Sequence, residues 1–218
     1  MSLNIELARH NMVEQQVRPW EVLDSRVLEA LTSVRREDFV PTAYRNLAFA
    51  DLSLPLAHGE FMMKPVVEGR VLQSVLPART ENVLEIGTGA GFLTACLARL
   101  AANVHSIEQH VDLAEAARAR LQAARVANAT VEVAEAVNGF APKETYDVIV
   151  VTGAVFALPP RWREWVRPSG RLFAIVGESP VQRAVLYTRS ESGWREDGLF
   201  ETDLPYLTNA APPRRFVL

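Results

Sequence analysis

The chain has 218 residues, a formal net charge of −3, 49% hydrophobic residues and a single cysteine. That length supports one domain with added segments and a full hydrophobic core. The slight negative charge leaves no general basic field, so no nucleic-acid partner is expected. Cys96 alone cannot form an internal disulfide and argues against a cysteine-based metal site, so no metal is expected. No run is as long as a membrane span, and residues 1–7 lack the charged start and apolar core of a signal peptide. A soluble, cytoplasmic protein with no membrane partner is the expectation.

Residues 5–18 suit a helix, with Met12, Val13, Gln16 and Val17 as contacts and Pro19 as its stop. Asp24 suits the N-cap of a helix from Ser25 to about Ser33, with Val27, Leu28 and Leu31 as its apolar face. Arg35-Arg36-Glu37-Asp38 reads as a solvated turn, and Phe39-Val40-Pro41 closes the segment. Residues 44–65 have no sustained period. Leu52, Leu54 and Leu56 alternate, but Pro55 interrupts a strand ladder. Residues 58–65 read as a loop over a ligand pocket. The competing reading is an apolar plug in which Phe61, Met62 and Met63 fill space, and composition favours the plug. Val67, Val71, Leu72 and Val75 then form a helical stripe over 66–76, ended by Pro77. Residues 1–80 are expected to form a helical extension with a lid loop, and residues 81–218 a core that is one compact unit.

In that core, apolar runs alternate with helical patterns: strand 82–87, helix 91–100, strand 103–108, helix 110–125, strand 130–135 and strand 146–151. This order predicts a doubly wound, mostly parallel α/β sheet. Val83-Leu84-Glu85-Ile86-Gly87-Thr88-Gly89-Ala90-Gly91 reads as a buried strand, a tight turn and a helix start. Glycines at alternate positions serve either turn geometry alone or the close approach of a ligand to the backbone. Glu108 ends the next strand, at about the twenty-residue distance where cofactor folds place the acid that binds two ribose hydroxyls. Glu85 precedes the turn, where dinucleotide enzymes bind a pyrophosphate. A carboxylate there suits a cofactor with an amino group and no phosphate, such as S-adenosylmethionine. Glu85, Glu108, Glu135 and Thr152 all fall at strand carboxyl ends, where open α/β sheets bind ligands. Cys96 sits on the apolar face of its helix and reads as core.

Residues 159–166 read as a short helix carrying Trp162 and Trp165. Pro168-Ser169-Gly170 is a turn and 171–176 a buried strand. Residues 183–189 and 194–201 form a closing antiparallel hairpin. Residues 210–215 suit an extended tail.

These residues together resemble class I S-adenosylmethionine-dependent methyltransferases, and among them the protein-L-isoaspartate O-methyltransferases. The resemblance rests on residues 83–91, on Asn-Met-Val-Glu-Gln-Gln-Val-Arg (11–18), on residues 35–41, on Ser-Ile-Glu (106–108) and on 147–154. It implies a seven-stranded Rossmann-like methyltransferase sheet with an N-terminal helical extension, and methyl transfer to the carboxylate of damaged aspartyl residues in proteins or peptides. It also implies site residues. Glu85, Gly87, Thr88, Gly89, Gly91, Glu108, Gln109, Glu135, Ala136 and Thr152 would bind the cofactor. Met63 and Thr152 would stand at the catalytic positions, and His58, Phe61, Lys64 and Gly153 on the substrate side. For Thr152 a strand-end hydroxyl satisfying the backbone is the equal alternative; for His58 and Lys64 the alternatives are a solvated loop residue and a surface charge. Two departures stand out. Gly59-Glu60-Phe61-Met62-Met63-Lys64-Pro65 occupies the place of Gly-Gln-Thr-Ile-Ser-Gln-Pro, so Phe61 and Met63 replace two hydroxyl residues. Ala134-Glu135-Ala136 stands for Gly-Asp-Gly. The altered loop motivates two alternatives, a methyltransferase of this scaffold with another acceptor and a cofactor-binding module without turnover.

Overall fold

A computed structural model describes residues 4–213. The first helix, α1, spans Ile5–Asn11 and is capped by the Asn4 side chain, which accepts from the Leu7 N–H. The helical path does not continue regularly to residue 18. It widens into a π-helical stretch over Met12–Val17 and then tightens into a 3-10 turn over Arg18–Trp20. Pro19 is accommodated early in that short turn, where its missing N–H costs nothing, and Glu21 at φ 62° ends the path. Met12, Val13 and Val17 are buried, and Gln16 donates its amide to the Phe49 carbonyl.

Helix α2, Ser25–Ser33, has Asp24 as its N-cap, as expected. The next turn corrects the sequence reading. Arg36–Asp38 is a 3-10 turn in which Arg36 and Glu37 are buried, not solvated. Each has a partner of opposite sign. Arg36 pairs with Glu68, and Glu37 pairs with Arg9 and Arg35. A charged pair can enter a core only on those terms.

Strands β1 (Leu54–Pro55) and β2 (Phe61–Met62) form a two-residue antiparallel hairpin, which places Pro55 in a ladder too short to be broken by it. Helix α3, Pro65–Val75, follows with Pro65 in its first turn. The main sheet then begins. Its elements are β3 (Asn82–Ile86), α4 (Phe92–Leu100), β4 (Asn103–Glu108), α5 (Val111–Ala123), β5 (Ala129–Val133), β6 (Tyr146–Val155), β7 (Val166–Glu178), β8 (Val181–Ser190) and β9 (Gly193–Thr202). The seven strands lie in the order β5-β4-β3-β6-β7-β8-β9. All pairs from β5 to β7 are parallel; β8 and β9 add an antiparallel edge. The winding reverses at β3, between β4 and β6, and the crevice of such a fold opens there.

Alternate residues of the central strands feed two cores. Val83, Val148, Val150 and Phe173 face a core shared with Met12, Leu31, Leu72 and Phe92. Leu84, Ile149, Val151 and Leu172 face a second core with Phe140, Trp162 and Trp165. The tryptophans sit on a 3-10 turn, Pro160–Trp165. Cys96 is fully buried in the first core, as expected of a packing residue, and burial pushes its thiol well up.

Two features have no sequence precursor. Arg171 on β7 donates to the Val75 and Leu76 carbonyls and pairs with Glu81, which satisfies the C-terminus of α3. Residues 204–210 return along the end of β6, which runs four residues past the expected 151. Ala154 N–H donates to the Pro205 carbonyl at 2.9 Å, and Leu207 N–H to the Ala154 carbonyl at 2.8 Å. Of the expected tail, Ala210 accepts from the Phe156 N–H at 2.7 Å, and residues 214 and 215 are outside the described part of the chain. Among the described residues no helix is long and apolar enough to cross a membrane.

Candidate active site

A cleft of about 800 Å³, counted to its open mouth, lies over the carboxyl ends of β3, β4 and β6. Its walls come from the β1–β2 segment, the glycine turn after β3, the ends of β4 and β6, the turn at 134–137, and Leu207 and Thr208.

Glu85 forms the innermost acidic wall and is fully buried. Its Oε2 accepts from Thr94 Oγ1 at 2.5 Å and from Ser106 Oγ at 2.6 Å. Ser106 spends its hydrogen on Glu85, so Thr88, 2.6 Å away, donates to Ser106. The other carboxylate oxygen, Glu85 Oε1, has no partner among the described residues. Burial pushes the carboxyl up to about 7, with Ser106 and Thr94 pulling down and the Glu108 charge adding a further upward push.

The turn itself needs its glycines. Gly87 has φ 97°, and a Cβ there would stand 2.3 Å from Thr152 Oγ1. Gly89 has φ 51° and gives its N–H to Glu108 Oε2 at 2.9 Å. The other Glu108 oxygen accepts from His110 N–H at 3.0 Å. Each of these oxygens has used one lone pair and keeps another. Glu108 thus stands beside the turn with two acceptor positions left.

The other expected residues divide. Gly91, Thr88, Gln109, Glu135, Ala136, Thr152, Gly153, Phe61 and Met63 line the cleft; His58 and Lys64 do not. His58 stacks on His110, with ring centroids 4.1 Å apart, and meets Asp112 at 2.8 Å, so its polar edge faces the start of α5. Lys64 is exposed at the N-terminus of α3. Thr152 gives its hydroxyl to the Ile86 and Gly87 carbonyls, at 2.9 and 2.7 Å, and so braces the glycine turn. Glu135 accepts from Val137 and Asn138 N–H, which closes its own turn. Met62 and Met63 are buried and fill space as a plug would, whereas Phe61 is 44% exposed at the cleft wall.

Sequence reasoning missed Glu68, Phe92, Leu56 and Leu207, all of which line the cleft. Glu68 is buried on α3, and burial pushes it up to about 8 against the pull of Arg36. Among the described residues no cluster of His, Cys, Asp or Glu could hold a metal ion.

The residues present fit a sulfonium nucleoside. The unpartnered Glu85 oxygen suits a cationic amino end, the glycine turn admits a ligand against the backbone, and Glu108 offers acceptors to a diol. A family model described as Protein-L-isoaspartate(D-aspartate) O-methyltransferase matches residues 8–201. A protein-L-isoaspartate O-methyltransferase of Koribacter versatilis is 36% identical over 187 residues, covering 86% of this chain and 84% of that protein. One from Bordetella avium is 37% identical over 201 residues, covering 89% and 74%. A Plasmodium falciparum chain of the protein-L-isoaspartate O-methyltransferase type, solved in complex with S-adenosyl-L-homocysteine, shares the fold. Its TM-score is 0.80 at 17% identity, covering 95% of this chain and 99% of that one. The chain belongs to the protein-L-isoaspartate(D-aspartate) O-methyltransferase family.

Proposed function

We propose that this protein is an S-adenosylmethionine-dependent methyltransferase that esterifies the carboxylate of isoaspartyl residues in proteins or peptides. Family membership supports the reaction. The observation that carries the site is the buried, half-unpartnered Glu85 behind the glycine turn, with Glu108 on the neighbouring strand tip. S-adenosylmethionine, when bound, supplies an electrophilic methyl on a positively charged sulfur. The acceptor carboxylate oxygen gains that methyl while the sulfur keeps the bonding pair, so both charges vanish and no proton moves. An ionised carboxylate needs no general base, which agrees with a cleft that no histidine lines among the described residues.

The chain's own contribution is binding and alignment. In this reading Glu85 holds the cofactor's ammonium end, Gly87 and Gly89 let the backbone close on it, and Glu108 accepts from both ribose hydroxyls. Glu135 and Ala136 border the adenine end. Met63 and Phe61 take the acceptor side, where they shield the reacting groups from water but donate no hydrogen bond. Residues 1–80 then supply the acceptor wall and residues 81–218 the cofactor wall. Incubation with methyl-labelled cofactor and an isoaspartyl peptide tests the reaction. The expected product is a base-labile methyl ester on that peptide and none on its aspartyl counterpart. Cofactor binding with no ester formed would reject the acceptor assignment.

Glu85 also sets a pH dependence. The unfolded chain releases this proton near the ordinary 4.5, but the folded chain keeps it to about 7. The native state therefore binds more protons in that window, and stability of the cofactor-free protein falls as pH rises through it. A cationic ligand favours the ionised form, so cofactor affinity is expected to rise from pH 6 to pH 8, with protons released on binding. Calorimetry in two buffers of different ionisation enthalpy measures this; affinity and heat independent of pH and buffer would contradict it.

A further inference from the structure

We infer that Glu68 is a second acid at the amino-acid end of the cofactor, so that the ammonium sits between Glu68 and Glu85. The inference rests on the cofactor reading above and adds a binding residue to it.

Both acids stand at the floor of the cleft. They line it, yet Glu85 is 0% exposed and Glu68 2%. They reach that floor from different elements, Glu85 from β3 and Glu68 from α3. Both lead to the first turn of α4. Glu85 accepts from Thr94 Oγ1 at 2.5 Å. Glu68 pairs with Arg36, whose guanidinium lies over the Phe92 ring at 4.8 Å. Phe92 and Thr94 share the start of that helix, and Phe92 itself lines the cleft. The charges agree with this placement. Burial pushes the Glu68 carboxyl up most, Arg36 pulls it down, and the Glu85 charge pushes it up again.

Each acid has one oxygen committed and one free. Glu85 spends Oε2 on Thr94 and Ser106, and its buried Oε1 has no partner among the described residues. Glu68 spends Oε2 on Arg36, and its Oε1 meets no donor among the described residues. Arg36 also donates to the Met63 carbonyl at 2.7 Å, so the Glu68 carboxylate is held in place before a ligand arrives. No lysine, arginine or histidine among the described residues lines the cleft to answer the two free oxygens. Buried carboxylates within range of each other are stabilised by a cation between them. An ammonium brings one positive charge and three N–H donors. It gives one bond to each free oxygen, and its charge balances Glu85, since Arg36 already balances Glu68. A counterion serving Arg36 alone would need neither a place on the cleft wall nor a second oxygen left without a donor.

Calorimetry on the full chain tests this with two ligands, S-adenosylhomocysteine and its analogue without the α-amino group. Glu68→Gln is expected to weaken S-adenosylhomocysteine at least about tenfold, the worth of one charge-assisted hydrogen bond. The deaminated analogue should stay within about twofold by the same arithmetic. Arg36→Met with Glu68→Leu, which strands no buried cation, should show the same selective loss. A role confined to pairing Arg36 would weaken both ligands alike or neither, and that result overturns the inference. If neither variant folds, a crystal structure of the unaltered chain with S-adenosylhomocysteine decides. The ammonium nitrogen is expected within about 3.2 Å of a Glu68 oxygen. A nitrogen bonded to Glu85 without Glu68 overturns the inference and leaves the cofactor reading intact. If S-adenosylhomocysteine does not bind the unaltered chain, the cofactor reading falls and the inference with it.

Discussion

Replacing Arg36 by alanine is expected to cost roughly 3–5 kcal/mol of stability, the usual penalty for removing one partner of a buried ion pair. Arg36 is fully buried. Its guanidinium donates to the Ala48 carbonyl at 2.8 Å, to the Met63 carbonyl at 2.7 Å and to Glu68, and it stacks over Phe92 at 4.8 Å. The substitution leaves an acid with no cation, two carbonyls with no donor and a hole beside an aromatic ring. For a chain of this size the melting temperature should fall by roughly 10 °C. Replacing the pair together, Arg36→Met with Glu68→Leu, should recover the share of the loss that comes from the stranded acid and the hole, but not the share from the Ala48 and Met63 carbonyls, which still lack their donor. A single-variant loss below about 1 kcal/mol, read from thermal or denaturant unfolding, would show that the pair does not hold these segments together. The functional stake is the Met63 backbone, which Arg36 fixes at the cleft wall.

Glu108→Ala is expected to weaken cofactor binding by roughly 10- to 100-fold, the worth of charge-assisted hydrogen bonds to two hydroxyls. The carboxylate is already held in place by the Gly89 and His110 N–H groups, so no ordering is needed when a diol arrives. Its loss exposes those two amides at a cleft that water can enter, so the fold should tolerate it better than loss of Arg36. Calorimetry with the cofactor, alongside a melting curve of the free variant, separates the two effects. An unchanged affinity with an unchanged melting temperature would remove Glu108 from the diol-binding role.

The parallel sheet was legible because its strands are buried on both faces and read as continuous apolar runs. Val148 to Val151 and Val83 to Ile86 announce themselves without periodicity. The Asp24 cap and the helix it starts were legible for a local reason, since capping is settled within a few residues. The turn at 35–38 was not legible. Four consecutive charged residues look solvated, and nothing within them reveals that Glu68 and Arg9 arrive from elsewhere in the chain to neutralise two of them. The acidic character of the cleft was half legible for the same reason. Glu85 and Glu108 flank a recognisable turn, while Glu68 occupies a helix where one acid is unremarkable. For His58 and Lys64 the structure agrees with the surface alternatives. Their chemistry suits an anionic acceptor, but the αL backbone at His58, with φ 59°, turns the ring toward Asp112. No short window of sequence encodes that direction.

The returning segment at 204–210 has a bearing on synthesis. Leu207 stands against Gly153, where an added Cβ would meet its Cδ2 at 2.6 Å, and it also borders the glycine turn that lies far earlier in the chain. A polypeptide emerging from the ribosome therefore presents the turn well before the wall that faces it exists. Any ligand contact that uses the Leu207 wall therefore waits until residues 204–210 have joined the end of β6.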